Sequence, residues 1–267
     1  METAGTIRWP AIVALAAILY FLVAAVATHV VSPQYDFVRD YISDYAVGPW
    51  GWIYGSAFLA SCIGSIALAL ALWRTVPRAA LSRTGLVLLA IVGVTYAVDF
   101  AFPTDILPPG QPPQTVVGMI HFADAFLGWV LFVVCAFLIS ARLKHDAYWA
   151  RRRGTLLALA WIAVVLLLAL VAVLVSKRPV GGLAEKAFIL DRNIWALLMA
   201  LSALNAPARC APPDGGFPCR SSRCCMLRRS SRSMRPARCS RWCSARCSSS
   251  GGRAIPCTGR WGGRGWS

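Results

Sequence analysis

The chain has 267 residues, of which 58% are hydrophobic, and a formal net charge of +16. Residues 1–205 hold 14 Lys and Arg against 10 Asp and Glu, whereas residues 206–267 hold 13 Arg, no Lys and one acidic residue. Most of the excess positive charge lies in this tail. The net charge therefore gives no reason to read the main body as a nucleic-acid binder, and we predict no nucleic-acid partner.

Six apolar runs follow one another before residue 205, and they predict transmembrane helices. A helix needs about 20 residues, at about 1.5 Å each, to cross the hydrocarbon core of a bilayer. The first five runs meet this length, and the sixth is short, as if its end were lost at the change of composition. The sequence therefore predicts an all-α, polytopic six-helix bundle in the lipid bilayer. The predicted spans are 9–31, 51–73, 83–102, 116–140, 155–175 and 187–204.

The distribution of Lys and Arg over the loops predicts the orientation. Nine basic residues fall on one side of the predicted spans and four on the other. Cytoplasmic loops carry the excess of Lys and Arg, so we predict a cytoplasmic N-terminus in an inner (plasma) membrane. The outer loops are then 32–50, 103–115 and 176–186. Span 1 could instead be a signal peptide cleaved near Ala27, but its long apolar stretch and single Arg8 favour a retained helix.

The tail, residues 206–267, obeys different compositional rules from the body. It contains eight of the ten cysteines and few aliphatic residues. A frame-shifted end of a GC-rich gene would produce this mixture of Arg, Ser, Pro, Gly, Cys and Trp. A disordered basic tail is the second interpretation, because such a composition buries too little apolar surface to fold. A metal or disulfide module is disfavoured by the lack of a C-x₂-C pair and of histidine. We predict a disordered or frame-shifted tail.

Small residues recur along the second span. Such residues let helix backbones approach closely in lipid, which serves packing inside one bundle or association of subunits. Packing inside the bundle is the simpler interpretation, and a homo- or hetero-oligomer formed through this face is the alternative. The residues are Gly51, Gly55, Ser56, Ala60 and Gly64.

Ionisable residues of the body gather at the predicted outer face. His121 and Asp124 are three residues apart in span 4 and so share one helix face. A charge near the bilayer centre costs roughly 2.5–3.5 kcal/mol, so such residues usually face the bundle interior or a wet cavity. We therefore predict an outward-facing polar cluster. Its members are Asp44, Asp99, Asp105, His121, Asp124, Asp191 and Arg192.

Each member of this cluster also has a structural explanation. Asp124 would form an internal ion pair with Arg192, His121 would hydrogen-bond to a neighbouring helix, and Asp44 would cap a helix. The sequence leaves both interpretations open, since intramembrane ionisable residues serve as ion pairs as well as sites.

Several short motifs recur in this order in a known family: Tyr41-Ile-Ser-Asp-Tyr45 with Gly48 and Trp52, Phe102-Pro-Thr-Asp105, His121, and Gly182-Leu-Ala-Glu-Lys186. Through them, residues 10–204 resemble a prokaryotic integral membrane family known as domain of unknown function 998. The resemblance implies six membrane helices and no defined reaction, so it assigns no catalytic residue. Nothing in the family resembles the tail. Lys186 stands where Arg is the more frequent residue. The matching positions are Ser43, Asp44, Pro103, Asp105, His121, Gly182 and Glu185.

Two functional hypotheses follow. The first is a non-enzymatic membrane protein that binds a proton, an ion or a small solute at the polar cluster. The second is a membrane-embedded, metal-dependent lipid hydrolase, in which His29, His121 and Asp124 would hold a metal that activates water. The H-x-x-x-H pair of multi-span lipid amidases is absent, so we favour the first hypothesis and predict no metal. The sequence assigns no cofactor and leaves open whether the protein is an enzyme.

Overall fold

The computed structural model describes residues 4–107 and 111–207. In these residues the secondary structure consists of six α-helices and two short 3-10 helices, which confirms the predicted all-α six-helix bundle. Each α-helix is long and apolar enough to cross a bilayer. The predicted tail lies outside the described residues from position 208 onward. The helices are α1 (Ala4–Val31), α2 (Gly51–Thr75), α3 (Arg83–Ala101), α4 (Val116–Arg142), α5 (Ala147–Ser176) and α6 (Gly181–Leu204).

Each helix packs against its neighbours in chain order, and α6 returns to contact α1 and α2. The connections between helices therefore fall at two ends of the bundle. We call one the acidic end, formed by connections 32–50, 102–115 and 177–180. The other is the basic end, formed by connections 76–82 and 143–146. A short 3-10 helix, Ile42–Ala46, lies in the first connection of the acidic end.

Small residues allow the helices to approach closely inside this one chain. A Cβ atom added to Gly64 of α2 would lie 2.8 Å from the Cβ of Ala17 on α1, and one added to Gly55 would lie 3.7 Å from the ring of Phe100 on α3. The small-residue stripe of α2 is thus used in packing α1 and α3 onto α2. Association of subunits through this stripe stays a prediction.

Large apolar side chains cover the outside of the bundle, as expected for a surface in contact with lipid. Tryptophans near the helix ends are also substantially exposed. Trp9 and Trp73 lie toward the basic end, and Trp50 and Trp52 lie toward the acidic end. This arrangement agrees with two aromatic belts at the membrane interfaces.

The predicted starts of the last two spans were wrong. Helix α5 begins at Ala147 instead of position 155, because Asp146 caps it by accepting hydrogen bonds from the amides of Tyr148 (3.0 Å) and Trp149 (3.1 Å). Helix α5 therefore includes the basic residues between Ala147 and position 155, which do not belong to the apolar run.

The sixth span is not short, since α6 has 24 residues and begins at Gly181. Its polar first turns resemble a loop in the sequence. In the structure the 32–50 connection folds over them and supplies acceptors for two of their amides. The amide of Gly182 donates to the Arg39 carbonyl (3.2 Å), and that of Leu183 donates to the Val38 carbonyl (3.0 Å). The chain itself thus satisfies helix-end amides that would otherwise lack partners.

Candidate functional site

Two consecutive side chains of α6 hold the 32–50 connection. The Lys186 ammonium donates to the carbonyl oxygens of Phe37 (3.1 Å) and Asp40 (2.6 Å). The Glu185 carboxylate accepts a hydrogen bond from the amide of Ile42 (2.6 Å). Hydrogen bonds to charged groups are among the stronger ones in proteins. Together these contacts fix the short 3-10 helix above the bundle.

Glycine is required where this connection meets α6. A Cβ atom at Gly182 would overlap the backbone of Asp40, and one at Gly181 would overlap the ring of Tyr41. Both glycines therefore allow an approach that no side chain would permit.

Asp44 is the carboxyl group that the 3-10 helix presents to the bundle. Its Oδ2 accepts a hydrogen bond from the Tyr41 amide (2.9 Å), and the residue is only 8% exposed. Burial raises the pKa of Asp44 to about 7, Asp40 adds to this rise, and the Tyr41 hydrogen bond and Lys186 oppose it. Near neutral pH, Asp44 is therefore present in both charged and uncharged forms.

Asp105 organises the second connection of the acidic end. Its Oδ2 accepts from the amides of Gln114 (2.8 Å) and Thr115 (2.8 Å), and its Oδ1 accepts from the Thr115 hydroxyl (2.7 Å). These hydrogen bonds hold the pKa of Asp105 below its ordinary value. A Cβ atom at Gly118 would overlap this carboxyl group. Asp105 thus joins the two ends of the connection at the start of α4.

His121 lies 4% exposed in the second turn of α4. Its Nδ1 is 2.9 Å from the Phe102 carbonyl oxygen and 3.5 Å from Asp99 Oδ1. A carbonyl oxygen can only accept, so Nδ1 carries a hydrogen in this arrangement. In the neutral ring, Nε2 is then the nitrogen with a free lone pair, and no hydrogen bond to it is formed by the described residues.

These residues surround a cavity of about 430 Å³ at the acidic end. We call it the acidic cavity. Its volume lies within the range of small-molecule sites. Apolar side chains from α4 and α5, among them Phe122, Trp129 and Leu174, form part of its wall, and Lys177 is a cation in its lining. Its other polar lining includes Tyr41, Ser43, Asp44, Asp105, His121 and Glu185.

A second space of about 20 Å³ shares His121 and Glu185 with the acidic cavity. We call it the buried chamber, and it has room for roughly one water molecule. Asp99, Tyr54 and Arg192 also line it.

Arg192 continues the polar lining further along the bundle. It borders both the buried chamber and a third space of about 30 Å³. Its guanidinium lies over the rings of Tyr96 (4.5 Å to the centroid) and Phe21 (5.5 Å). The expected ion pair with Asp124 is not formed, and within the described residues Arg192 pairs with no carboxylate. Aromatic faces stabilise this buried cation instead.

The predicted cluster thus separates into several environments. Asp44, Asp105 and His121 line the acidic cavity, and Asp99 and Arg192 line the buried chamber. Asp124 lies three residues after His121 on α4, and its buried Oδ2 has no hydrogen-bond partner within the described residues. Asp191 is buried with one oxygen lacking a hydrogen-bond donor, and it lines none of these three spaces of the described chain.

The candidate metal ligands are not assembled. His29 packs against the rings of Phe37 and Tyr45, with its Nδ1 2.5 Å from the Ala25 carbonyl oxygen. In the part of the chain that the structure describes, no group of three or more His, Cys, Asp or Glu side chains could hold a metal ion. The arrangement does not support the site that the metal-dependent hydrolase hypothesis requires.

Glu185 was missed as a cluster member. It was placed in a loop because the apolar run of the sixth span begins at position 187. Glu185 and Arg192 are seven residues apart and lie on one face of α6, since seven residues make almost two full helical turns. That spacing is the signal that could have placed Glu185 beside Arg192.

Taken together, the bundle and its acidic cavity define a multi-pass membrane protein with a polar site at one end of six helices. Residues 14–202 match the model of DUF998, a protein of unknown function, and the chain belongs to this family. No curated protein matches the chain significantly, and no solved structure does.

Proposed function

We propose that this membrane protein binds a small organic cation, with an apolar substituent, in the acidic cavity. The observation that carries the proposal is the convergence of hydrogen-bond acceptors from three elements on one cavity with apolar walls. These acceptors are the carboxyl groups of Asp44 and Glu185 and the imidazole of His121. Sites for small molecules commonly combine an apolar lining with a few placed polar groups.

The acceptors are only partly used by the protein. One oxygen of Asp44 accepts from the Tyr41 amide and one oxygen of Glu185 accepts from the Ile42 amide, which leaves the second oxygen of each for a ligand. Asp105 differs, because three donors already occupy its carboxylate. We therefore assign ligand contact to Asp44, Glu185 and His121 and a structural role to Asp105.

The charge and size of the cavity support an amine. Three carboxyl groups and one ammonium group, that of Lys177, line it, so ionised carboxylates give it an excess of negative charge. Phe122 and Trp129 offer aromatic surface that favours cations and apolar groups alike.

We also infer that the acidic cavity opens to the outside of the cell membrane. The support is the concentration of Lys and Arg at the basic end, which the positive-inside rule places in the cytoplasm.

Calorimetric titration of the purified full-length protein with phenethylamine, choline and putrescine tests the proposed ligand class. At least one amine is expected to bind at pH 8 and to bind about tenfold more weakly at pH 5.5, because Asp44 becomes protonated below its pKa of about 7. The neutral analogue 2-phenylethanol should show no comparable dependence on pH.

The Asp44→Asn variant should weaken amine binding at pH 8 by about tenfold, since the variant lacks the negative charge. Asp36→Asn is the matched control, because Asp36 belongs to the same connection and does not line the cavity. The proposal is wrong if none of the three amines binds, or if binding is equal in wild type and in Asp44→Asn.

A further inference from the structure

We infer that Asp99 and Asp124 share one proton beneath the acidic cavity and exchange it with that cavity past His121. This inference goes beyond cation binding and does not depend on it. The two carboxyl groups come from different helices, Asp99 from the last turn of α3 and Asp124 from α4. Intramembrane carboxyl groups that face a polar interior commonly serve as proton sites.

The first argument is the lack of donors. Asp99 is 6% exposed, and its Oδ1 has no hydrogen-bond donor within the described structure. Asp124 is half-buried, and its Oδ2 atom is buried without a donor. Buried polar atoms are nearly always paired, because a missing hydrogen bond costs free energy. A proton on one carboxyl group supplies the missing donor.

The second argument is the proximity of the two carboxyl groups. Asp99 Oδ1 lies 3.5 Å from His121 Nδ1, and Asp124 follows His121 by three residues on the same face of α4. Two carboxylates that share one site do not both ionise readily, and they titrate as a pair.

The third argument is the balance of charge around the pair. Asp99 and Glu185 line the buried chamber, and Arg192 is the only permanent cation in its lining within the described structure. Asp124, one helical turn from His121, adds a third carboxyl group nearby. One bound proton reduces the excess negative charge inside the membrane. The ionisable groups that face Asp99 are Tyr54 of α2, His121 and Asp124 of α4, and Glu185 and Arg192 of α6.

His121 provides the connection to the acidic cavity. Its side chain lines both the cavity and the buried chamber, and its Nδ1 is 3.5 Å from Asp99 Oδ1. The chamber has room for roughly one water molecule. A proton that leaves the carboxyl pair therefore passes to water in this chamber and past His121 to the cavity.

Infrared spectroscopy of the full-length protein in lipid at pH 8 tests the inference. The wild type should show the carbonyl stretch of a protonated carboxylic acid, and the band should shift when H₂O is replaced by D₂O. Absence of the band, or a band that does not respond to D₂O, overturns the inference. This measurement needs no ligand, so its result is separate from that of the amine titrations.

Variants assign the band. Asp99→Asn and Asp124→Asn should each remove or shift it, whereas Asp191→Asn, which changes a buried carboxyl group outside the three spaces, should leave this component in place. A band unchanged in both Asp99→Asn and Asp124→Asn overturns the assignment. Circular dichroism establishes that each variant is folded. If Asp99→Asn does not fold, Asp124→Asn and the wild-type measurement in D₂O still decide the question.

Discussion

Asp44 is a carboxyl group whose charge changes near neutral pH. Burial raises its pKa from an ordinary 3.8 to about 7, so the folded protein binds this proton more tightly than the unfolded chain does. The native state is therefore favoured by protonation, and stability is lost as the pH rises from about 4 to about 7. The ionised form is available for a cationic ligand at the expense of stability in the free protein.

The Asp44→Asn variant should consequently be more stable than the wild type at pH 8 and similar to it at pH 4. At about 1.4 kcal/mol for each pKa unit, the gain at pH 8 has an upper limit of roughly 4 kcal/mol. Asn keeps an oxygen that can accept from the Tyr41 amide, so the local hydrogen bond is preserved. Thermal unfolding in detergent, followed by circular dichroism at both pH values, measures the difference.

Asp36→Asn is a control for which we expect a change in stability of the opposite sign. Hydrogen bonds from the amides of Arg39 and Val38 lower the pKa of Asp36, so its ionised form contributes stability above the ordinary pKa. This variant should be slightly less stable than the wild type at pH 8. A gain in stability at pH 8 that is equal in Asp36→Asn and Asp44→Asn would contradict the role of burial.

At the scale of elements, the 32–50 connection and the start of α6 form one structural unit. The connection supplies carbonyl acceptors to the α6 amides, and α6 supplies Lys186 and Glu185 to the connection. Each part satisfies polar backbone groups of the other. The position of Asp44 above the cavity depends on this mutual support.

Gly182→Ala should disrupt the unit, because its Cβ atom would overlap the backbone of Asp40. Backbone atoms cannot move aside as a flexible side chain can, so we expect a loss of about 2 kcal/mol or more. Gly154→Ala in α5 is the matched control, since nothing lies within 4 Å of its added Cβ atom. Alanine has the higher helix propensity, so this variant should be unchanged or up to about 1 kcal/mol more stable.

The comparison is made by thermal unfolding of both variants in the same detergent. Equal stability of the two variants would show that the connection does not dock on α6 as described. Weaker binding by Gly182→Ala of any amine that the wild type binds is a further expectation, because the variant displaces the element that carries Asp44.

At the scale of the whole molecule, charge is divided between the two ends of the bundle. Basic residues dominate the basic end, most of them on the helix turns that adjoin its connections, and the carboxyl groups of the acidic cavity lie at the opposite end. The positive-inside rule predicts the orientation from this asymmetry. The side from which the proposed ligand would reach the cavity follows from that prediction.

Epitope accessibility in intact cells tests the orientation. A tag at the N-terminus, next to the start of α1 at the basic end, should bind antibody only after the membrane is permeabilised. A tag inserted at Gly110, in the 102–115 connection of the acidic end, should bind antibody without permeabilisation. The reverse pattern would place the acidic cavity on the cytoplasmic side.

Local patterns were enough to predict the six helices and most of their ends. A run of about 20 apolar residues has few stable alternatives in lipid, because every backbone polar group must be satisfied within the segment. The starts of α5 and α6 were missed for a related reason. A hydropathy pattern detects helical turns that contact lipid. It does not detect polar helical turns that pack on other parts of the protein.

Sequence by itself therefore determined the membrane bundle and the end at which its ionisable residues gather. Only the tertiary structure decided which of them meet. Ile42 and Glu185 join across 143 positions of sequence, and Asp99 meets His121 of a neighbouring helix. Such contacts depend on how the helices rotate and on where the 32–50 connection docks. Both are set by packing and by backbone hydrogen bonds between distant segments, which no local pattern records.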